Sequence, residues 1–344
     1  MVLAYVTNEG ENTVSVINSS THKLIATVAV GFRPRAIAST PDGKVAYVVN
    51  FGSEQTASTV SVIDTKTHVV IATVPVGIDP MEVAITPDGK IAYVSNNRSN
   101  SLSVIDTKTH SVMATINLGN DSFPNVISIT PDGKLAYVAN NVSSVVSVID
   151  TKTHSIIATI SVSSNPRDVD FTSEGKLAYV SSFNDRNLSI VDTKTHIVIA
   201  TVMLRVDPFF ITISPDGKLV YVLNQAGQGS VSVIETKTHA VIATILVGAQ
   251  GDQPISMAFT PDGKIVYVVT LGGSTVTVID TKTHSIIATV QLVEGQLFVA
   301  FTPDGKLAYV GNVDGTVSVI AVNTHSLIAT VPVGVNPFAI AFIP

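Results

Sequence analysis

The histidines of this chain return at nearly constant intervals: His22, His68, His110, His154, His196, His239, His284 and His325 are 46, 42, 44, 42, 43, 45 and 41 residues apart. Counting from His325 through the C-terminus and back to His22 adds another 41 (344 − 325 + 22), so the repeat closes on itself after eight units that use all 344 residues. A fixed period of this length marks a solenoid, an array or a propeller, and no linker interrupts it.

Each unit contains four runs with strand character. In the third unit they are Val83 to Thr86, Ile91 to Ser95, Ser101 to Ile105 and Ser111 to Ile116, rich in β-branched residues and separated by turn residues. Four short strands per unit make one propeller blade. Asp88-Gly89 between the first two runs predicts a two-residue type I′ hairpin. Between the third and fourth, the Asp106 carboxylate is expected to accept from backbone N–H groups two residues on. The chain starts in a second strand (Leu3-Ala4-Tyr5-Val6) and ends in a first strand (Phe338 to Phe342) with nothing after it. Pairing the two would complete the blade and remove a free edge. The expected fold is therefore all-β: a single eight-bladed β-propeller of four-stranded blades over residues 1–344, with the N-terminal blade completed by residues 337–344.

Composition agrees with this and excludes several functions. Apolar residues make up 45% of the chain and charged residues 13%, a balance that suits strands buried on both faces. No run reaches the roughly 18 apolar residues of a membrane span. No charged and then apolar leader begins at Met1, so a secretion signal is expected to have been removed or never present. The absence of cysteine excludes disulfides, thiolate metal sites, covalent haem attachment and a cysteine nucleophile. A net charge of −6 argues against nucleic acid as a partner. A monomer is expected.

The runs Tyr5-Val6-Thr7-Asn8, Tyr47-Val48-Val49-Asn50, Tyr137-Val138-Ala139-Asn140 and Tyr221-Val222-Leu223-Asn224, with the recurrent P-D-G-K and D-T-K-T-H, resemble the YVTN β-propeller repeats along the whole chain. That resemblance implies a propeller of the kind found in archaeal surface-layer and bacterial secreted or periplasmic proteins. It therefore implies an extracellular, cell-surface or periplasmic location. It carries no catalytic motif, and eight blades exceed the seven associated with that family.

Successive strands alternate in direction, so the first-to-second and third-to-fourth turns share one face of the expected propeller. All 14 lysines, all eight histidines and a net charge of +1 (14 − 13) belong to that face. Together with the eight tyrosines, which occupy one equivalent strand position, they read as structural. The opposite face breaks the repeat. It holds Arg33, Arg35, Arg98, Arg167, Arg186 and Arg205, eight of the 12 phenylalanines, and a net charge of −7 (6 − 13). Irregular loops on a rigid scaffold are where binding usually resides.

The two positions after each inter-blade proline are expected to rim a central channel. They include Arg35, Met81, Glu82, Asn125, Arg167 and Asp168 on a polar arc, and Phe209, Phe210, Phe298 and Phe338 on an apolar one. These ten are the candidate ligand-binding residues, suited to a small amphipathic organic ligand with an acid group held by Arg35 and Arg167. The alternative is that Arg35, Glu82, Arg167, Asp168 and Asp170 neutralise one another. With every histidine on the other face, a Ser-His-Asp triad and a zinc site are disfavoured. No metal or cofactor is expected, although Glu82, Asp168, Asp170 and Asn125 offer oxygen ligands suited to calcium.

Two functions follow. One is a secreted or surface binding scaffold that takes a small ligand or a protein on the irregular face. The other is a hydrolase, lactonase-like enzyme, isomerase or lyase acting on a small organic acid or ester, with Glu82, Asp168, Asp170 and Arg167 as candidate catalytic groups. The fifth blade departs furthest from the pattern, with Ser173-Glu174-Gly175-Lys176 in place of Pro-Asp-Gly-Lys.

Overall fold

The computed structural model describes residues 2–53, 55–204, 206–225, 227–249 and 251–343; Arg205 lies outside them. Among the described residues there are 32 strands and no helix, arranged as eight antiparallel sheets of four. The fold is an eight-bladed β-propeller, as the period predicts. The strands fall into two compact units, Met1–Val169 with Phe338–Pro344, and Asp170–Pro337.

Within a blade, burial follows the sequence. The blade of β4 (Pro34–Ser39), β5 (Val45–Asn50), β6 (Thr59–Asp64) and β7 (Val69–Pro75) is typical. In β5, Ala46 through Asn50 are all buried, and in β6 Val60 through Ile63 are, so both faces of the two middle strands are covered. Covering both faces requires a run of apolar residues without polar alternation, and Val-Ala-Tyr-Val-Val supplies it. The fourth strand is an exposed edge. All eight fourth strands carry a β-bulge against the third, for example where Val62/Ile63 faces Ala72 and Val70. A bulged edge strand is a poor template for pairing with another chain.

The Asp-Gly turns differ from expectation. Gly89 N–H donates to the Thr86 carbonyl at 2.7 Å and Thr86 N–H to that of Ile91 at 2.9 Å, so four residues, Pro87 to Lys90, form the loop. Only the glycine has a positive φ, +73°, whereas a type I′ turn needs two such residues. Proline at the second position of the turn restricts φ to negative values, and the glycine then supplies the left-handed residue. The Asp106 turn is as expected: its Oδ1 accepts from the N–H of Lys108 at 2.9 Å and of Thr109 at 2.8 Å.

That turn also accounts for the histidines. All eight have a positive φ, between 49° and 58°, a position where glycine or asparagine is ordinarily cheaper. Histidine is placed there to reach the neighbouring blade. Tyr47 Oη lies 2.8 Å from His110 Nδ1, and Tyr93 Oη lies 2.8 Å from His154 Nδ1. The same latch joins Tyr221 to His284 and Tyr267 to His325 in the second unit, at 3.1 and 2.8 Å. Each satisfies a phenol hydroxyl on a fully buried tyrosine, as a buried polar group requires.

The chain ends meet as predicted. Strand β32 (Pro337–Ile343) lies beside β1 (Leu3–Asn8) in the N-terminal blade. There Ala339 N–H donates to Thr7 Oγ1 at 3.0 Å, and that hydroxyl donates to the Arg35 carbonyl at 2.8 Å.

Candidate functional site

In the first unit, the loops opposite the Asp-Gly turns gather charge. Glu9 follows β1, Arg33 and Arg35 flank the start of β4, and Phe51 follows β5. The single Glu9 Oε1 accepts from Arg33 Nε and Nη2 at 3.0 and 2.7 Å and from Arg35 Nε at 3.0 Å. One carboxylate holding two guanidinium groups leaves the cluster with a net positive charge. The Phe51 ring lies under both, with its centroid 3.9 Å from Arg35 Cζ and 5.0 Å from Arg33 Cζ, and Phe338 stands 5.5 Å from Arg35. Aromatic faces hold guanidinium groups in place without neutralising them. The expected neutralisation of Arg35 by the rim carboxylates is therefore not what the structure contains, since Glu9 pairs with it.

Arg35 leads to the carboxylates. Its Nη1 lies 3.8 Å from Sδ of Met81, the residue before Glu82 on β8 (Pro80–Ile85). Glu82 is partly accessible to solvent but enclosed by protein. Loss of hydration, and then the neighbouring Asp168, push its carboxyl up to about 7. Its backbone N–H donates to Ser95 Oγ at 3.1 Å, and that hydroxyl donates to the Asn125 carbonyl at 2.7 Å. Ser95 thereby ties β8 to β12 (Pro124–Ile129), so the strand carrying Glu82 is fixed from the side. Asp168, on β16 (Pro166–Phe171), is buried and accepts from the Val169 N–H at 2.8 Å. Arg167 beside it is shifted down by burial.

In the second unit, Asp170 Oδ1 accepts from the Phe171 N–H and Oδ2 from the Ile213 N–H at 2.9 Å, binding the carboxylate to β20 (Pro208–Ile213). Burial raises its carboxyl to about 6, but both oxygens already hold backbone groups. Phe298 is only 7% exposed, and its ring occupies the space a side chain at Gly311 would need, with Cε1 2.2 Å from that Cβ position. Phe210 packs against the cluster around Tyr221. These aromatics fill the protein interior at strand starts, whereas Phe338 is 43% exposed.

Among the ten candidate residues, the structure brings Arg35, Met81, Glu82, Asp168 and Phe338 into one polar region of the first unit. Glu9 and Phe51 were not among them. Glu9 occupies an ordinary loop position, and only its contacts across 24 and 26 residues of chain reveal it. A better signal was the pair Arg33 and Arg35 flanking one proline, which calls for a counter-ion nearby. Among the described residues, no three His, Asp or Glu side chains come together as metal ligands.

Hydrazine synthase from Kuenenia stuttgartiensis is similar at 27% identity, covering 84% of this chain and 95% of its own, with a TM-score of 0.69. Dihydro-heme d1 dehydrogenase NirN in complex with DHE has a TM-score of 0.84 at 18% identity, over 98% of this chain and 74% of its own. A functionally unknown protein from Desulfotomaculum acetoxidans DSM 771 has a TM-score of 0.65 at 17% identity, over 83% and 94%. The latter two likenesses show the fold alone. Comparison with curated proteins finds no match. The model of the family described as lactonase, 7-bladed beta-propeller, matches residues 4–155 and 192–297. The unmatched interval 156–191 contains Arg167, Asp168, Asp170 and the irregular Ser173–Lys176 turn. With most of its length matched, this eight-bladed chain belongs to the lactonase β-propeller family.

Proposed function

We propose that the protein is a hydrolase of small lactones or esters that carry an acid group, with Glu82 as its general base. Of the two functions the repeat left open, family membership supports the catalytic one over the binding scaffold. The observation that carries the reading is the Glu82 carboxyl, raised to about 7 by burial and Asp168 and one residue from the Arg35 contact. A carboxyl poised near neutrality has an appreciable fraction of both forms at working pH, as proton transfer in both directions requires.

In this reaction, the Glu82 carboxylate takes a proton from water as the water oxygen bonds to the substrate carbonyl carbon. The ring or ester C–O bond then breaks, and the same proton passes to the departing alkoxide. The product is a hydroxy acid, or an acid and an alcohol. Arg35, steadied by Glu9 and Phe51, orients the substrate's acid group. The YVTN-type repeat and an extracellular, cell-surface or periplasmic location belong to the same proposal and rest on sequence resemblance.

The test is a hydrolysis assay over a panel of five- and six-membered lactones and aryl esters with and without a carboxylate, comparing wild type with Glu82→Gln. Wild-type turnover should rise with pH through about 7. The Glu82→Gln variant should lose about 10²- to 10⁴-fold in rate, the usual contribution of a general base. Absence of turnover on the whole panel, or a Glu82→Gln enzyme as fast as wild type, would overturn the proposal.

A further inference from the structure

A large cavity lies on the Asp-Gly turn side of the second unit. Its volume is about 790 Å³, and it is bordered by Thr172, Ser173, Lys176, Lys194 and Lys237. Equivalent grooves in the first unit, where Pro41 meets Gly89 and Pro87 meets Gly133, measure about 290 and 430 Å³. At those grooves a proline ring lies 3.0 to 3.1 Å from where a Cβ on the next blade's glycine would be. In the fifth blade the proline is Ser173, whose Oγ approaches the same point on Gly217. A ring has been replaced by a hydroxyl, and the groove is wider.

The residue after it has also changed, and with it the wiring of the turn. In six turns an aspartate, Asp42, Asp88, Asp132, Asp216, Asp262 or Asp304, turns its carboxylate back into the loop. Its Oδ1 accepts from a Thr or Ser hydroxyl at 2.7 to 2.8 Å. The same oxygen accepts from the backbone N–H of the lysine two residues on, at 3.1 to 3.2 Å. In the fifth blade, Glu174 is one methylene longer and pairs with the Lys176 Nζ. The Lys176 N–H has no such acceptor, and the Thr172 hydroxyl, which accepts from the Leu177 N–H at 3.2 Å, donates only to the Leu177 carbonyl, at 3.4 Å.

The other carboxylates at the cavity hold groups of their own turns. Asp192 Oδ1 accepts from the N–H groups of Lys194 and Thr195 and from the Thr195 hydroxyl. Asp216 holds Ser214 and Lys218. The residues that border the cavity offer as donors the Lys176 N–H, the Thr172 and Ser173 hydroxyls and the side chains of Lys194 and Lys237.

We propose that this cavity binds a small oxyanion, a carboxylate or phosphate group, one oxygen of which takes the place that aspartate Oδ1 holds in the other six turns. The Lys176 N–H and Thr172 hydroxyl donate to it, and Lys194 and Lys237 supply charge. Charge-assisted bonds to a fixed backbone N–H are the stronger class of hydrogen bond.

The test is an ¹⁵N NMR titration of the full chain with inorganic phosphate and, separately, with succinate at constant ionic strength. The Lys176 amide should move to saturation, while the amides of Lys44, Lys90 and Lys264 stay in place; the two arms decide which anion class is preferred. Ser173→Pro/Glu174→Asp restores the residue pair of the other six turns and should weaken binding at least about tenfold, equivalent to about 1.4 kcal/mol. Lys194→Ala/Lys237→Ala leaves the turn intact and should weaken it about threefold, as expected for exposed charges. A Lys176 amide that responds to neither anion, or a Ser173→Pro/Glu174→Asp chain that binds as tightly as wild type, would overturn the proposal.

Discussion

The Asp-Gly turn side and the loops at the opposite end of the first unit are built from the same blades, yet they use polar residues in opposite ways. On the turn side the loop aspartates are used within their own turns. Asp88 caps its own loop and pairs with Lys90 at 3.0 Å, and His110 latches Tyr47. At the other end Glu9, Arg33, Arg35, Glu82 and Asp168 come from different blades, and one carboxyl is held far from its usual range. The repeated turn aspartates are satisfied by their own blade. Residues that break the repeat are left with unfinished electrostatics, and chemistry can use them.

Glu82→Gln gives the largest separation between the two regions. Besides the loss of hydrolysis, it should raise stability. A carboxyl whose folded pKa is raised from 4.5 to about 7 stabilises the fold when protonated and costs stability as pH rises through 7. Removing that charge should add roughly 2 kcal/mol at pH 8, the shift being discounted for the solvent the carboxyl still meets. A less stable and inactive variant in urea melts would instead make Glu82 structural.

On the turn side, Tyr47→Phe should cost about 1 to 2 kcal/mol by leaving His110 without its partner, and should leave hydrolysis unchanged. Reduced turnover with unaltered melting would erase the distinction. Burial lowers the pKa of His110, His154 and His325 below the usual 6.5. The unfolded chain therefore takes up protons first. Stability should be full above 6.5 and fall as pH drops through and below it, measured as the melting temperature between pH 7.5 and 5.

A smaller effect should distinguish positioning from catalysis. Glu9→Gln loosens Arg35 and should raise KM about fivefold for acid-bearing substrates, with kcat little changed and neutral substrates unaffected. Equal loss on both substrate classes would remove Arg35 from substrate binding. The smallest effect is expected at Lys90→Ala, where an exposed ion pair should change stability by less than about 0.5 kcal/mol in the same urea melts. A larger loss would show that the turn-side charges are coupled in a network.

Period, chain ends and strand character were sufficient to specify the eight blades and the pairing of β32 with β1, because one blade cannot bury its own faces and the spacing of the strands leaves one way to close. The lysines and histidines were legible as structural for the same reason: whatever recurs in every unit serves every unit. Arg35, Glu82 and Asp168 were legible as candidates because they follow the inter-blade proline and break the pattern. Tertiary structure decided what these side chains do. Asp170 is held by a backbone N–H 43 residues away, and Phe298 covers a glycine in the next strand. Glu9, ordinary in its own loop, holds both arginines. Partners drawn from neighbouring blades lie 24, 26 or 43 residues away in the chain, where local spacing carries no signal, and a carboxyl's proton affinity depends on the protein that encloses it, which exists only once the blades have packed.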